Sequence, residues 1–152
     1  MQALNAGGRY EVDDAVKAKI KSLFWAGFGD DDETMATIKA CKEQFDYVID
    51  THTAVGKAVY DKYAALMGDK TKTIIASTAS PFKFNQSVLI ALKGRNFVAG
   101  KDEFTLLEEL SGISGMRIPK SLADLKVKSR LFNLVCEKDQ MPQVVSDFLK
   151  ID

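Results

Sequence analysis

From Asp13 onward, Val16, Ile20, Leu23 and Phe24 fall at the three-to-four-residue spacing of one helix face, and the acidic pair Asp13-Asp14 suits the positive end of its dipole. Gly27 and Gly29 end that pattern. Asp30-Asp31-Asp32-Glu33 then opens a second helix, with Met35, Ile38, Cys41 (or Ala40) and Phe45 on one face. A row of carboxylates can hold a metal cation, but one placed just before an apolar stripe is first of all a helix start. Tyr47-Val48-Ile49 is a short β-type run broken by the capping residues Asp50-Thr51-His52-Thr53. Val55, Ala58, Val59, Tyr63 and Leu66 resume helical spacing until Gly68-Asp69-Lys70. Thr73-Ile74-Ile75-Ala76-Ser77 is too short and too β-branched for a helix and predicts a buried strand. Thr78-Ala79-Ser80-Pro81 predicts a loop, and Asn85 to Leu92 a helix that Gly94 ends.

The order strand, polar loop, helix, repeated, predicts an α/β fold built on a parallel sheet with flanking helices. Further along, Asp102 to Leu110 reads as a helix, while Gly112, Gly115 and Pro119 mark a loop before a short Leu122–Leu125 segment. Asp139 is placed to cap a last helix through Val144, Val145, Phe148 and Leu149. For Leu131 to Cys136 the pattern fits a strand or a helical turn equally. There is no internal repeat and no linker, so the 152 residues, 1–152, are expected to form a single domain.

Composition narrows the classes. Apolar residues at 46% and charged residues at 28% exclude a disordered or low-complexity chain. Lys plus Arg number 21, as do Asp plus Glu, so no net field draws in a polyanion and nucleic acid is not the expected partner. The longest apolar run, Val88 to Leu92, is far short of the roughly 20 residues that span a bilayer, so no membrane partner is expected. The start Met1-Gln2-Ala3-Leu4 lacks the basic and apolar regions of a signal peptide, and Cys41 and Cys136 lie in no metal-ligand spacing. Reduced thiols and a cytoplasmic location are expected.

Ligands of open α/β sheets sit beyond the carboxyl ends of the strands. That singles out two loops: Asp50, Thr51, His52 and Thr53 after the first strand, and Ser77, Thr78, Ser80 and Lys83 after the second. His52 is the only histidine, so a His-rich metal site is excluded. Placed beside Ser77 or Ser80 it invites a hydrolase triad, but no GxSxG elbow surrounds either serine. Lys83 between apolar neighbours is expected to extend its ammonium to water rather than form a Schiff base. No glycine-rich phosphate motif is present.

The string Asp50-Thr51-His52-Thr53-Ala54-Val55-Gly56, with its lead-in Tyr47-Val48-Ile49 and the acidic helix start Ala26 to Thr34, resembles threonine synthase of the bacterial and fungal type. A second string, Ser77-Thr78-Ala79-Ser80-Pro81-Phe82-Lys83-Phe84, resembles that family's Ser/Thr-rich strand end followed by Pro and Lys-Phe, in the same order and at similar spacing. Gly8 to Val12, Ile118-Pro119 and the last helix also fit. Thr51 stands where the family often has Pro, and Ser80 where many members have His.

The resemblance implies a tryptophan-synthase-β-like fold of the pyridoxal phosphate type II class, of which this chain would form the C-terminal part. It implies conversion of O-phosphohomoserine and water to threonine and phosphate, with pyridoxal phosphate as cofactor. The family's cofactor-bearing lysine and phosphate-cradling glycine loop belong to the N-terminal half, and neither motif occurs here. The chain alone is therefore expected to be inactive and to need that N-terminal half as partner. By motif position the resemblance puts Thr78, with Ser77 beside it, at the cofactor's ring nitrogen, and Asp50, His52 and Thr53 at the substrate. A noncatalytic interaction module derived from such an enzyme is the alternative.

Overall fold

The computed structural model describes residues 2–150 and contains helices, turns and irregular chain, with no strand among the described residues. The chain divides into two compact units, Met1–Ile118 and Pro119–Asp152.

The first unit opens with α1 (Gln2–Gly7) and α2 (Asp14–Leu23), the latter capped by Asp13, whose side chain accepts from the Val16 N–H. Next comes α3 (Asp31–Phe45), closed at its start by a capping box. Asp30 accepts the Glu33 N–H at 2.8 Å, and Glu33 reaches back to the Asp30 N–H at 3.2 Å. The acidic run is thus a helix cap, as its place before an apolar stripe predicts. In α4 (Thr51–Met67), Asp50 caps the start and Gly68, at φ 63°, ends it in the left-handed region where a Cβ would be strained. A 3-10 turn, Pro81–Phe84, runs into α5 (Asn85–Lys93), followed by α6 (Arg95–Val98) and α7 (Glu103–Ser114). The last of these runs a turn past its expected end. Gly112 inside a helix costs only about 1 kcal/mol, and the chain stops instead at Gly115, at φ 70°.

The core lies where α3 packs on α4 and α5, and α5 on α7. Ile38, Ala54, Val88, Leu89, Leu106 and Leu110 are all at most 1% exposed. Each of the larger ones contributes on the order of 1.5–3 kcal/mol by leaving water. Val48 and Ile49, just before α4, are buried in the same unit.

The partial parallel sheet expected for an α/β fold of the pyridoxal phosphate type II class is not formed. Residues 47–49 and 73–77 are irregular chain, and among the described residues no backbone hydrogen bond joins them. β-branched sequence favours an extended backbone, but a strand exists only as part of a ladder, and no described segment supplies the facing edge. Ile74, expected in a buried strand, is 96% exposed. Ile75 beside it is half-buried.

The second unit has α8 (Lys120–Ala123), which passes into a 3-10 turn at Asp124–Lys126. Residues 131–136 are neither strand nor helix. The last helix, α9 (Met141–Leu149), follows a 3-10 turn whose cap is Glu137 with Gln140, rather than Asp139. Within this unit the Phe132 and Phe148 rings meet edge to face at 6.5 Å. Among the described residues no helix is long and apolar enough to cross a membrane.

Candidate functional site

Asp50 ends the irregular run from Tyr47 and starts α4. Its backbone is still extended (φ −77°, ψ 168°), which lets the carboxylate turn back over the first helical turn. One carboxylate oxygen accepts the His52 N–H at 2.9 Å and the Thr53 N–H at 3.2 Å, and the other accepts the Thr53 hydroxyl. Asp50 is 0% exposed, so these donors and the positive end of the α4 dipole replace the water it gives up.

Thr53 is buried as well, and its oxygen lies 3.3 Å from Ser77 Oγ. A threonine hydroxyl has one proton, and Asp50 takes it. Ser77 therefore donates to Thr53, and the three side chains form a line running Ser77 to Thr53 to Asp50. Thr78 follows on exposed chain.

His52 is different in kind. Its side chain is 63% exposed, with Nδ1 at 3.6 Å from Asp50 and 3.4 Å from the Thr51 hydroxyl. The imidazole also lies against the Phe84 ring, centroids 4.9 Å apart. Lys83 places its ammonium 5.4 Å from the same ring, a cation–π contact that leaves the amine in water. Ser80 caps the 3-10 turn by accepting the Phe82 N–H at 3.3 Å. Among the described residues neither Ser77 nor Ser80 hydrogen-bonds His52, so the geometry is not that of a nucleophile triad.

The structure brings Asp50, His52, Thr53 and Ser77 together, with Thr78 next along the chain. Sequence reasoning missed Phe84 as the partner of His52, although it closes the second matched string. It also missed the pocket of about 220 Å³ that Thr53 and Ser77 share with Cys41, Ile49, Lys57 and Ile75. There burial pushes the Cys41 thiol above its ordinary range, against the opposing charge of Lys57. Lys57 is held by both oxygens of Asp61, at 2.6 and 2.7 Å, one helical turn away. That spacing was the one available signal. Both cysteines are free.

Comparison with known proteins takes in Thr53, Ser77, Thr78 and Phe84. A family model described as threonine synthase, C-terminal, matches residues 53–145. Threonine synthase of Saccharomyces cerevisiae is 34% identical over 122 residues, which is 76% of this chain and 23% of the yeast protein. Human threonine synthase-like 1 is 33% identical over 91 residues, 59% of this chain and 12% of that protein. The counterpart from Macaca fascicularis is 31% identical over the same length. The chain thus spans about a quarter or less of the curated relatives it matches. By the family match and the conjunction of its two strings in one place, this chain belongs to the threonine synthase family and corresponds to its C-terminal region.

Proposed function

We propose that this chain is the C-terminal part of a pyridoxal-phosphate-dependent threonine synthase, in which it supplies one wall of the site that turns O-phosphohomoserine and water into threonine and phosphate. The observation that carries the reading is the meeting of residues 50–56 and 77–84, through Thr53 to Ser77 and His52 to Phe84.

The donor set suits the cofactor's ring edge. Thr78 is exposed and its hydroxyl is uncommitted among the described residues, Ser77 beside it gives its proton to Thr53, and Asp50 is fully buried and committed to the α4 cap. A hydroxyl can hydrogen-bond a pyridine nitrogen without holding a proton on it as a carboxylate would. When bound, pyridoxal phosphate supplies the electron sink for deprotonating the amino-acid substrate. Thr78, with Ser77 beside it, is assigned to that ring edge. Of the three residues assigned to the substrate, His52 is the one with its side chain in water, where it can meet a phosphate or carboxylate. Asp50 and Thr53 serve the same wall by holding the turn that presents His52.

The lysine that carries the cofactor and the loop that cradles its phosphate are assigned to the N-terminal half of the enzyme, so the 152-residue chain by itself is inactive. A cytoplasmic location accords with its two free thiols. A second reading, a noncatalytic interaction module of the same descent, is favoured by the apolar side chains at the surface, Leu23, Phe28 and Ile74 being 80–96% exposed.

The test mixes this chain with the yeast enzyme truncated before the matched region and follows phosphate release from O-phosphohomoserine with added cofactor. Turnover only when both pieces are present supports the enzyme reading, and Thr78→Ala is then expected to weaken cofactor binding. Assembly of the two pieces without turnover moves the weight to the interaction module.

A further inference from the structure

Residues 74–79 are poorly anchored. Among the described residues, the hydrogen bond between Ser77 and Thr53 is the only one that any of them makes within the protein. The remaining attachment is apolar: Ile75 lies over Gly56 of α4 and lines the pocket beside Thr53. The chain on either side is tied down by its own turns, Asp69 with Thr71 before it and Ser80 with Phe82 after it. The segment that carries Ser77 and Thr78 is therefore held to α4 by one polar bond beside the apolar contact of Ile75.

That bond is not part of helix capping as such. The same Asp-x-x-Thr cap starts α7, where Asp102 accepts the Phe104 and Thr105 N–H groups and the Thr105 hydroxyl. Among the described residues the Thr105 hydroxyl makes no hydrogen bond beyond that cap. At α4 the cap is complete in the same way, and the hydroxyl of Thr53 has in addition a lone pair turned to Ser77. Because Asp50 is rigidly buried and takes the Thr53 proton, that lone pair has a fixed direction.

We infer that Thr53 is a positioning residue, whose hydroxyl, oriented by Asp50, fixes Ser77 and with it the hydroxyl pair at 77 and 78. The relevance to cofactor binding rests on the function proposed above. The positioning itself does not.

The two are separated by measuring backbone amide order parameters and ligand-induced shifts by NMR on the full 152-residue chain. Thr53→Val keeps the shape of the side chain and removes the hydroxyl. Thr53→Ser restores the hydroxyl, and Ser77→Ala breaks the bond from the exposed end without touching the helix cap. Thr53→Val and Ser77→Ala are expected to drop the order parameters of residues 75–78 toward the flexible range, below about 0.6, while Thr53→Ser keeps them near wild type. Unchanged order in Ser77→Ala, or equal loss in Thr53→Val and Thr53→Ser, overturns the inference. The ligand arm uses a pyridoxal phosphate analogue lacking the aldehyde, which needs no lysine. Shifts at the Ser77 and Thr78 amides that vanish in Thr53→Val and persist in Thr53→Ser extend the positioning to the cofactor. If the analogue leaves these amides unmoved in the wild type while the order parameters respond as stated, the cofactor reading fails and the positioning role of Thr53 stands.

Discussion

The His52 imidazole rests on the Phe84 ring with centroids 4.9 Å apart and planes at 42°, joining the first turn of α4 to the turn that precedes α5. The two residues belong to the two sequence strings that mark the family. Their contact leaves the His52 side chain 63% exposed.

The contact has a spectroscopic signature. A proton above an aromatic face is shielded, so the His52 ring protons are expected upfield of their positions in a free histidine. Phe84→Leu keeps an apolar side chain in this half-buried position, with a stability cost under about 1.5 kcal/mol. It is expected to move the His52 ring signals toward their free values while leaving the core methyls of Leu89 and Leu106 unmoved. Unshifted His52 signals in the wild type would mean the two rings do not meet in solution.

Asp50 is fully buried and accepts three hydrogen bonds from the first turn of α4. Replacing it by Ala strips the first turn of α4 of its acceptor and leaves the buried Thr53 hydroxyl only the longer contact to Ser77, at 3.3 Å. The expected cost is about 2 kcal/mol or more, above the usual loss for one cap because two kinds of donor lose that acceptor. Asp50→Asn keeps one oxygen acceptor and is expected to lose about half as much. Urea unfolding of the three proteins gives both numbers directly. A loss below about 0.5 kcal/mol for Asp50→Ala would show that water takes over the cap, in conflict with its complete burial.

The helices were legible because their ends carry local chemistry. Asp30 with Glu33, Asp50 with Thr53, and Gly68 and Gly94 each mark a boundary by what their own side chain or missing Cβ does. The sheet was misread for the complementary reason. Residues 47–49 and 73–77 carry β-branched side chains, but pairing is a property of two segments, and no described residues offer the second. Within the site, Asp50, His52, Thr53 and Ser77 could be singled out from capping chemistry and the matched strings. Phe84 could not, since nothing local distinguishes an aromatic that meets a distant imidazole from one that packs in the core.

The Asp102 cap allows a pH test. The Thr105 hydroxyl, 2.6 Å away, leads the hydrogen bonds that hold the Asp102 carboxyl below its usual range. A carboxyl whose pKa is lower folded than unfolded stabilises the fold above its unfolded pKa. That contribution is lost as the pH falls through the folded value, so the affected window lies in acid below the ordinary aspartate range. NMR titration of the Asp102 side chain is expected to give a pKa below that of a free aspartate, and Thr105→Val to raise it. If Thr105→Val leaves the titration where it was, the backbone donors and not the hydroxyl set the shift.

Gly56 sits in the interior of α4 with its surface open to solvent, and a Cβ built there would meet Ile75 Cγ2 at 3.8 Å, an ordinary contact. Nothing in the fold thus demands a glycine, and its backbone freedom in the unfolded chain works against the helix. Gly56→Ala is expected to stabilise the protein by about 0.5–1 kcal/mol in urea unfolding. Gly27 is the opposite case: a Cβ there meets Trp25 at 3.0 Å and Val59 at 3.1 Å, so Gly27→Ala is expected to destabilise by making those two side chains shift slightly from their packing. The pair makes a controlled comparison, since both changes add one methyl group near the same helix. A gain at Gly56 beside a loss at Gly27 would locate the reason for glycine at 56 outside this chain's own packing, in whatever surface approaches α4 there. A loss at both would instead mean that Ile75 is pressed harder onto the helix than a 3.8 Å contact allows, and that residues 74–79 are held by packing as firmly as by the Ser77 hydroxyl.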